Sequence, residues 1–196
     1  MVAPWIAQLA RGVLALALGV TVALTLDHSP LFGLLTFGGF TVLSGVVLLI
    51  ASLRSDYAAP RRGLFAAQAG VAIVAGGVAL AVPTGGVAFF GFLVGAWALA
   101  AGLLELAAGI LSRGRSPLAR DWTLVGALTV VLGAVALLLP PDFVQAFAGD
   151  RGVSGTLTTS VILVGVVGAW AVLVGVLQAI SAVSVRGVRT PSAVTS

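Results

Sequence analysis

Six long apolar stretches limit what this chain can fold into. They run over about 7–26, 31–53, 63–82, 86–112, 122–140 and 157–185. A hydrocarbon core of about 30 Å needs roughly 20 mostly apolar residues per helix, and each stretch supplies that length. Charged residues make up 8% of the chain, against about 25% in an ordinary soluble domain. The chain cannot cover itself with polar surface in water, so its solvent is a lipid bilayer. The stretches leave no room for a separate soluble domain. The expected fold is an all-α membrane protein of six transmembrane helices.

The basic residues set the expected orientation. There are ten, all arginine. Arg11 is read as flanking the start of the first helix; Arg54, Arg61 and Arg62 lie between the second and third; Arg113, Arg115 and Arg120 lie between the fourth and fifth; Arg186 and Arg189 close the sixth. Alternate loops share one side, and the opposite loops hold only Arg151. By the positive-inside rule both termini are expected to be cytoplasmic. No loop carries the clustered patch of a nucleic-acid site, so the arginines read as topology signals and contacts to anionic headgroups. The segment after Arg11, "GVLALALGVTVALTL", has the hydrophobicity of a signal peptide, but no A-x-A site follows it. It reads as a retained first helix.

The chain also repeats itself. "GGFTVLSGVVLLIASL" from Gly38, "GAWALAAGLLELAAGI" from Gly95 and "GAWAVLVGVLQAISAV" from Gly168 align without gaps. Their frame is Gly38/Phe40/Gly45, Gly95/Trp97/Gly102 and Gly168/Trp170/Gly175, and an arginine closes each copy at Arg54, Arg113 or Arg186. The preceding stretch of each copy starts after Arg11, Arg62 or Arg120, carries Gly12/Gly19, Gly70/Gly77 or Gly126/Gly133, and ends near Pro30, Pro83 or Pro140. The unit is therefore a helical hairpin repeated three times, over about 5–54, 61–113 and 120–186, followed by a short cytoplasmic tail at 187–196. Parallel hairpins imply a pseudo-threefold axis along the membrane normal. The six framing glycines read as helix-packing positions, because small residues let membrane helices approach closely.

A six-helix membrane protein with "G-x-W-x-x-x-x-G" repeats resembles the HdeD-type acid-resistance membrane protein family, whose short membrane repeat has no established function. The resemblance covers nearly the whole chain; Phe40 replaces Trp in the first copy, and the third outer loop, 141–156, is unusually long. It implies an envelope or acid-stress role and carries no catalytic or ligand-binding residues over to this chain.

One charged residue interrupts the apolar pattern. Leu48, Glu105 and Gln178 occupy one repeat position, which puts Glu105 about 12 Å inside the membrane from Arg113. An acid there costs on the order of 2.5–3.5 kcal/mol and is expected to be neutral unless an arginine reaches it. Structurally, it would hydrogen-bond Gln178 or a backbone carbonyl. Functionally, it would be a proton-responsive or solute-lining group. Phe40, Trp97 and Trp170 are expected as an aromatic layer two turns outward, either lining a shallow outward cavity or packing against glycines.

The remaining polar residues suggest local roles. His28 in "DHSP" reads as a solvated turn residue, Asp121 as a helix N-cap, and Trp5 and Trp122 as interfacial belt residues. Gln68, Thr21, Thr129 and Ser44 read as scattered helix polars. Phe143, Val144 and Phe147 would form one face of a short interfacial helix or sit in a wet loop. There is no cysteine, no metal-ligand spacing, no phosphate loop and no nucleophile–base pair, so neither a cofactor nor an enzyme is expected. Three functions fit: a non-enzymatic stress protein, an accessory subunit of a larger membrane complex or self-associating partner, and a small channel or transporter using Glu105.

Overall fold

The computed structural model describes residues 4–54, 59–148 and 154–188. The order is α1 (Pro4–Leu24), α2 (Pro30–Arg54), α3 (Ala59–Ala81), α4 (Gly86–Leu111), α5 (Ala119–Leu138), β1 (Val144–Ala148), β2 (Ser154–Thr158) and α6 (Thr159–Val188). All six helices are long and apolar enough to cross a membrane. Leu103, Val131, Val74, Leu173 and Ile180 point outward at 54–66% exposure. A shell of that kind suits lipid, which is as apolar as the side chains themselves. The chain is a multi-pass membrane protein. Arg151 and Arg189, with most of the tail, lie outside the described residues.

Glycine decides which helices pair. The most extensive packing joins each even-numbered helix to the odd-numbered helix after it: α2 to α3, α4 to α5, and α6 back to α1. Within a hairpin, α1–α2, α3–α4 and α5–α6 share smaller contacts. A Cβ placed on Gly102 would stand 2.8 Å from the Val130 backbone nitrogen and 3.0 Å from the Gly126 carbonyl oxygen. One on Gly175 would stand 2.8 Å from the Leu16 nitrogen and 2.9 Å from the Gly12 oxygen. On α2, a Cβ at Gly45 would lie 3.0 Å from the Ala69 oxygen. Gly38, Gly95 and Gly168 meet the side chains of Leu80, Leu137 and Val22 at similar range. The six framing glycines thus lie at backbone crossings or under a neighbour's side chain.

These crossings correct the register read for the second odd helix. Gly12 and Gly19 face α6, and Gly126 and Gly133 face α4, but on α3 the packed pair is Ala69 and Gly76. Gly70 and Gly77 have nothing within 4 Å of an added Cβ. The spacing of seven on α3 is real and sits one residue off the packed face. In the packed register, Arg11 corresponds to Gln68 and Val125, not to Arg62 and Arg120. Likewise Gln8 corresponds to Phe65 and Trp122.

The loops also differ from expectation. Residues 144–148 and 154–158 pair as an antiparallel hairpin with Val144 opposite Thr158, not as an interfacial helix or an unstructured loop. A single apolar turn is too short to nucleate a helix alone, and Val144, Thr156 and Thr158 favour extended backbone. The Thr159 hydroxyl donates to the Pro140 carbonyl at 2.6 Å and ties this hairpin to the start of α6. Helix α5 starts at Ala119 after Leu118, with no side-chain cap bond, so Asp121 lies within the first turn and is not the cap. In the α1–α2 turn the Ser29 backbone N–H donates to Asp27 at 2.8 Å and holds that exposed carboxyl below its ordinary range. This contribution to the turn exists above the usual carboxylate pKa and fades as pH falls through the lowered value. His28 contacts the Leu26 carbonyl at 3.2 Å in the same exposed turn.

Overpacking a tight crossing costs about 1–3 kcal/mol or more. Gly102→Leu and Gly175→Leu should therefore lower the thermal midpoint in detergent sharply, whereas Gly70→Leu should leave it within error. Equal effects at all three positions would contradict the register given above.

Candidate functional site

At the centre the three even helices meet one another, and each contributes its framing aromatic residue. Phe40, Trp97 and Trp170 are 9%, 7% and 8% exposed. Their ring centroids lie 6.4, 5.9 and 5.5 Å apart in the pairs Phe40–Trp97, Phe40–Trp170 and Trp97–Trp170, all edge-to-face. Phe37 adds a further edge contact to Trp97 at 5.1 Å. Edge-to-face contacts contribute about 0.5–1.5 kcal/mol each beyond burial. Trp170 Nε1 donates to Thr129 Oγ1 at 3.2 Å, and that hydroxyl donates to the Val125 carbonyl at 2.7 Å. Thr129 therefore links α6 to α5.

Two turns along α4, Glu105 is 1% exposed and has partners from two other helices. Arg11 Nη1 donates to Glu105 Oε1 and Nη2 to Oε2, both at 3.0 Å. Gln68 Nε2 donates to Oε2 at 2.7 Å. The two parallel bonds match the guanidinium fork to the carboxylate plane, which is the geometry of a strong charge-assisted pair. This corrects three expectations. Arg11 lies inside α1, about 10 Å past its first residue, where it faces the core and does not mark a loop. The acid does have an intramembrane basic partner. Its hydrogen bonds go to Arg11 and Gln68; Gln178 makes none to it, and its Oε1 is buried without a partner.

A second layer covers the pair toward the arginine-rich end. Phe65 and Trp122 lie edge-to-face at 5.0 Å, and Trp122 Nε1 donates to Gln8 Oε1 at 3.4 Å. Trp122 is 2% exposed and so belongs to the core, not to the lipid interface. At the same end Trp5 lies under the Arg186 guanidinium, 5.3 Å from ring centroid to carbon, and fastens α1 to α6. Between the aromatic and charged layers lies a cavity of about 20 Å³, bordered by Arg11, Gln68, Glu105, Gln178, Trp97 and Trp170 among others. Phe40, Trp97 and Trp170 therefore border a small space shared with the polar group, in place of a shallow outward opening.

The constellation is an ion pair with one amide partner. It can hold helices α1, α3 and α4 together. Among the described residues no cluster of His, Cys, Asp or Glu could hold a metal ion. The signal for Arg11 was present in the sequence: Gln8, Arg11, Gly12 and Ala15 share one face, and Gly12 marks that face as packed. Gln68 sits at the matching step before Ala69.

Removing the Gln68 donor leaves both carboxylate oxygens dependent on Arg11 alone. A hydrogen bond to a charged group contributes about 1.5–3 kcal/mol. Gln68→Leu should lower unfolding stability by that order, measured by denaturant titration in mixed micelles. A change no larger than that of the lipid-facing Leu103→Ala would refute the bond.

No curated protein and no solved structure matches the chain. Residues 67–139 and 156–195 match a family described as a short repeat of unknown function. The matched segments include most of α3 and all of α4, α5 and α6, and omit α2 and α1, which supplies Arg11. They cover more than half of the chain, and the protein belongs to this family, DUF308.

Proposed function

We propose that the chain is a non-enzymatic inner-membrane protein of a bacterial envelope, with cytoplasmic termini, that works in envelope or acid stress through its buried Arg11–Glu105 pair. The bidentate pair in a bilayer-embedded core carries this reading. Protonating Glu105 would leave Arg11 without its counter-charge, and uncoupling a buried pair costs about 3–5 kcal/mol. That is a large fraction of the 5–15 kcal/mol that holds a typical domain together. A proton reaching the core would therefore loosen α1 from α4. The HdeD-type resemblance supplies the stress context, and the family match is in keeping with it. The cyclic order of helix pairs supports a pseudo-threefold relation among the repeats.

A second reading, an accessory subunit, has its own observation. Gly63, Gly70 and Gly77 share the outward face of α3 with nothing within 4 Å of an added Cβ. A partner helix would find a smooth track there. Stoichiometric capture of a membrane partner that Gly70→Leu abolishes, without loss of the protein itself, would favour it. The channel reading has no comparable support, since three edge-packed rings fill the centre and the cavity is only about 20 Å³.

A strain lacking the gene should survive acid challenge less well than its parent. Wild-type protein should restore survival, and Glu105→Gln at equal membrane level should not. Equal survival with and without the gene would remove the stress role.

A further inference from the structure

Four polar atoms around the central cavity have no hydrogen-bond partner: Arg11 Nε, Gln68 Oε1, Trp97 Nε1 and Gln178 Oε1. Each belongs to a side chain at least nine-tenths buried. Buried polar groups left without a partner cost about 1–3 kcal/mol each, so four around one cavity call for a common ligand.

We propose that the cavity is a binding site for one water molecule, which completes the network by joining Gln178 of the third repeat to the Arg11–Gln68–Glu105 group. Size and polarity both select water. A water needs about 10–15 Å³ of such space, and the cavity offers about 20 Å³. Gln68 donates its amide nitrogen to Glu105, which fixes its other atom as an acceptor. The lining thus offers two N–H donors, from Arg11 and Trp97, and two carbonyl acceptors, from Gln68 and Gln178. Water carries two hydrogens and two lone pairs and satisfies both kinds. A cation would meet the guanidinium, and an anion would meet Glu105 and two carbonyl oxygens. Arg11 comes from the first repeat, Gln68 and Trp97 from the second and Gln178 from the third, so the site is complete only when all three repeats are assembled. The site stands on these atoms and does not depend on the stress role.

The test uses full-length protein in lipid nanodiscs with ¹⁵N-labelled tryptophan, the Trp97 indole being assigned by its loss in Trp97→Phe. A water-selective cross-relaxation experiment should give a cross-peak at Trp97 Hε1 with the sign of a long-lived water. That cross-peak should be lost in Gln178→Leu, which removes an acceptor, and in Ala101→Val, which fills the cavity from another wall. Ala101→Val serves alone if Gln178→Leu does not fold. Absence of the cross-peak in the wild type would overturn the proposal. So would a cross-peak that persists unchanged in a folded variant.

Discussion

The fold is organised around one charge pair placed where lipid forbids an isolated charge. Arg11 and Glu105 are 94 residues apart in the chain and meet through two parallel hydrogen bonds at 3.0 Å. Either group alone would be expensive at this depth, so each depends on the other and on the backbone geometry that brings α1 to α4. Gln68 adds a bond from α3. The layers on either side, Phe40–Trp97–Trp170 and Phe65–Trp122, hold the pair in a low-dielectric slab. There an intact pair is strong and a broken one is costly.

Glycine packing delivers the pair to this place. The crossings at Gly12–Gly175, Gly126–Gly102 and Ala69–Gly45 set three helix pairs at one depth. The residue before each of those odd-helix positions, Arg11, Val125 or Gln68, then faces inward beside Leu48, Glu105 or Gln178. The three repeats supply six matching positions in one layer, and four of them are polar. The role of the layer therefore comes from how the repeats differ, while the frame that holds it comes from how they agree.

Much of this was legible in the sequence. Helix number, the three aromatic framing positions and the burial of Glu105 two turns from that aromatic layer follow from hydropathy and a gapless repeat, because both report periodic burial directly. The partners of Glu105 did not follow. Arg11 resembled a flanking topology signal because it is an arginine near the start of an apolar run, although "WIA" already precedes it. Gln68 was hidden by Gly70 and Gly77, whose spacing copies that of the packed glycines on the wrong face. Trp122 resembled a belt residue by its position near a helix end. For Arg11 and Trp122 composition near a helix terminus suggested lipid or solvent, and in all three cases the register of helix packing placed the side chain in the core.

A double-mutant cycle on Arg11→Met and Glu105→Leu, read as unfolding free energy in mixed micelles, tests the central claim most directly. Each single change strands one buried charge and should cost about 3–5 kcal/mol. The double change replaces the pair by apolar side chains and should cost no more than one single change, giving a coupling of at least about 3 kcal/mol. Losses that simply add, with a coupling near zero, would mean that the two groups do not sustain one another and that the core is not built around their pairing.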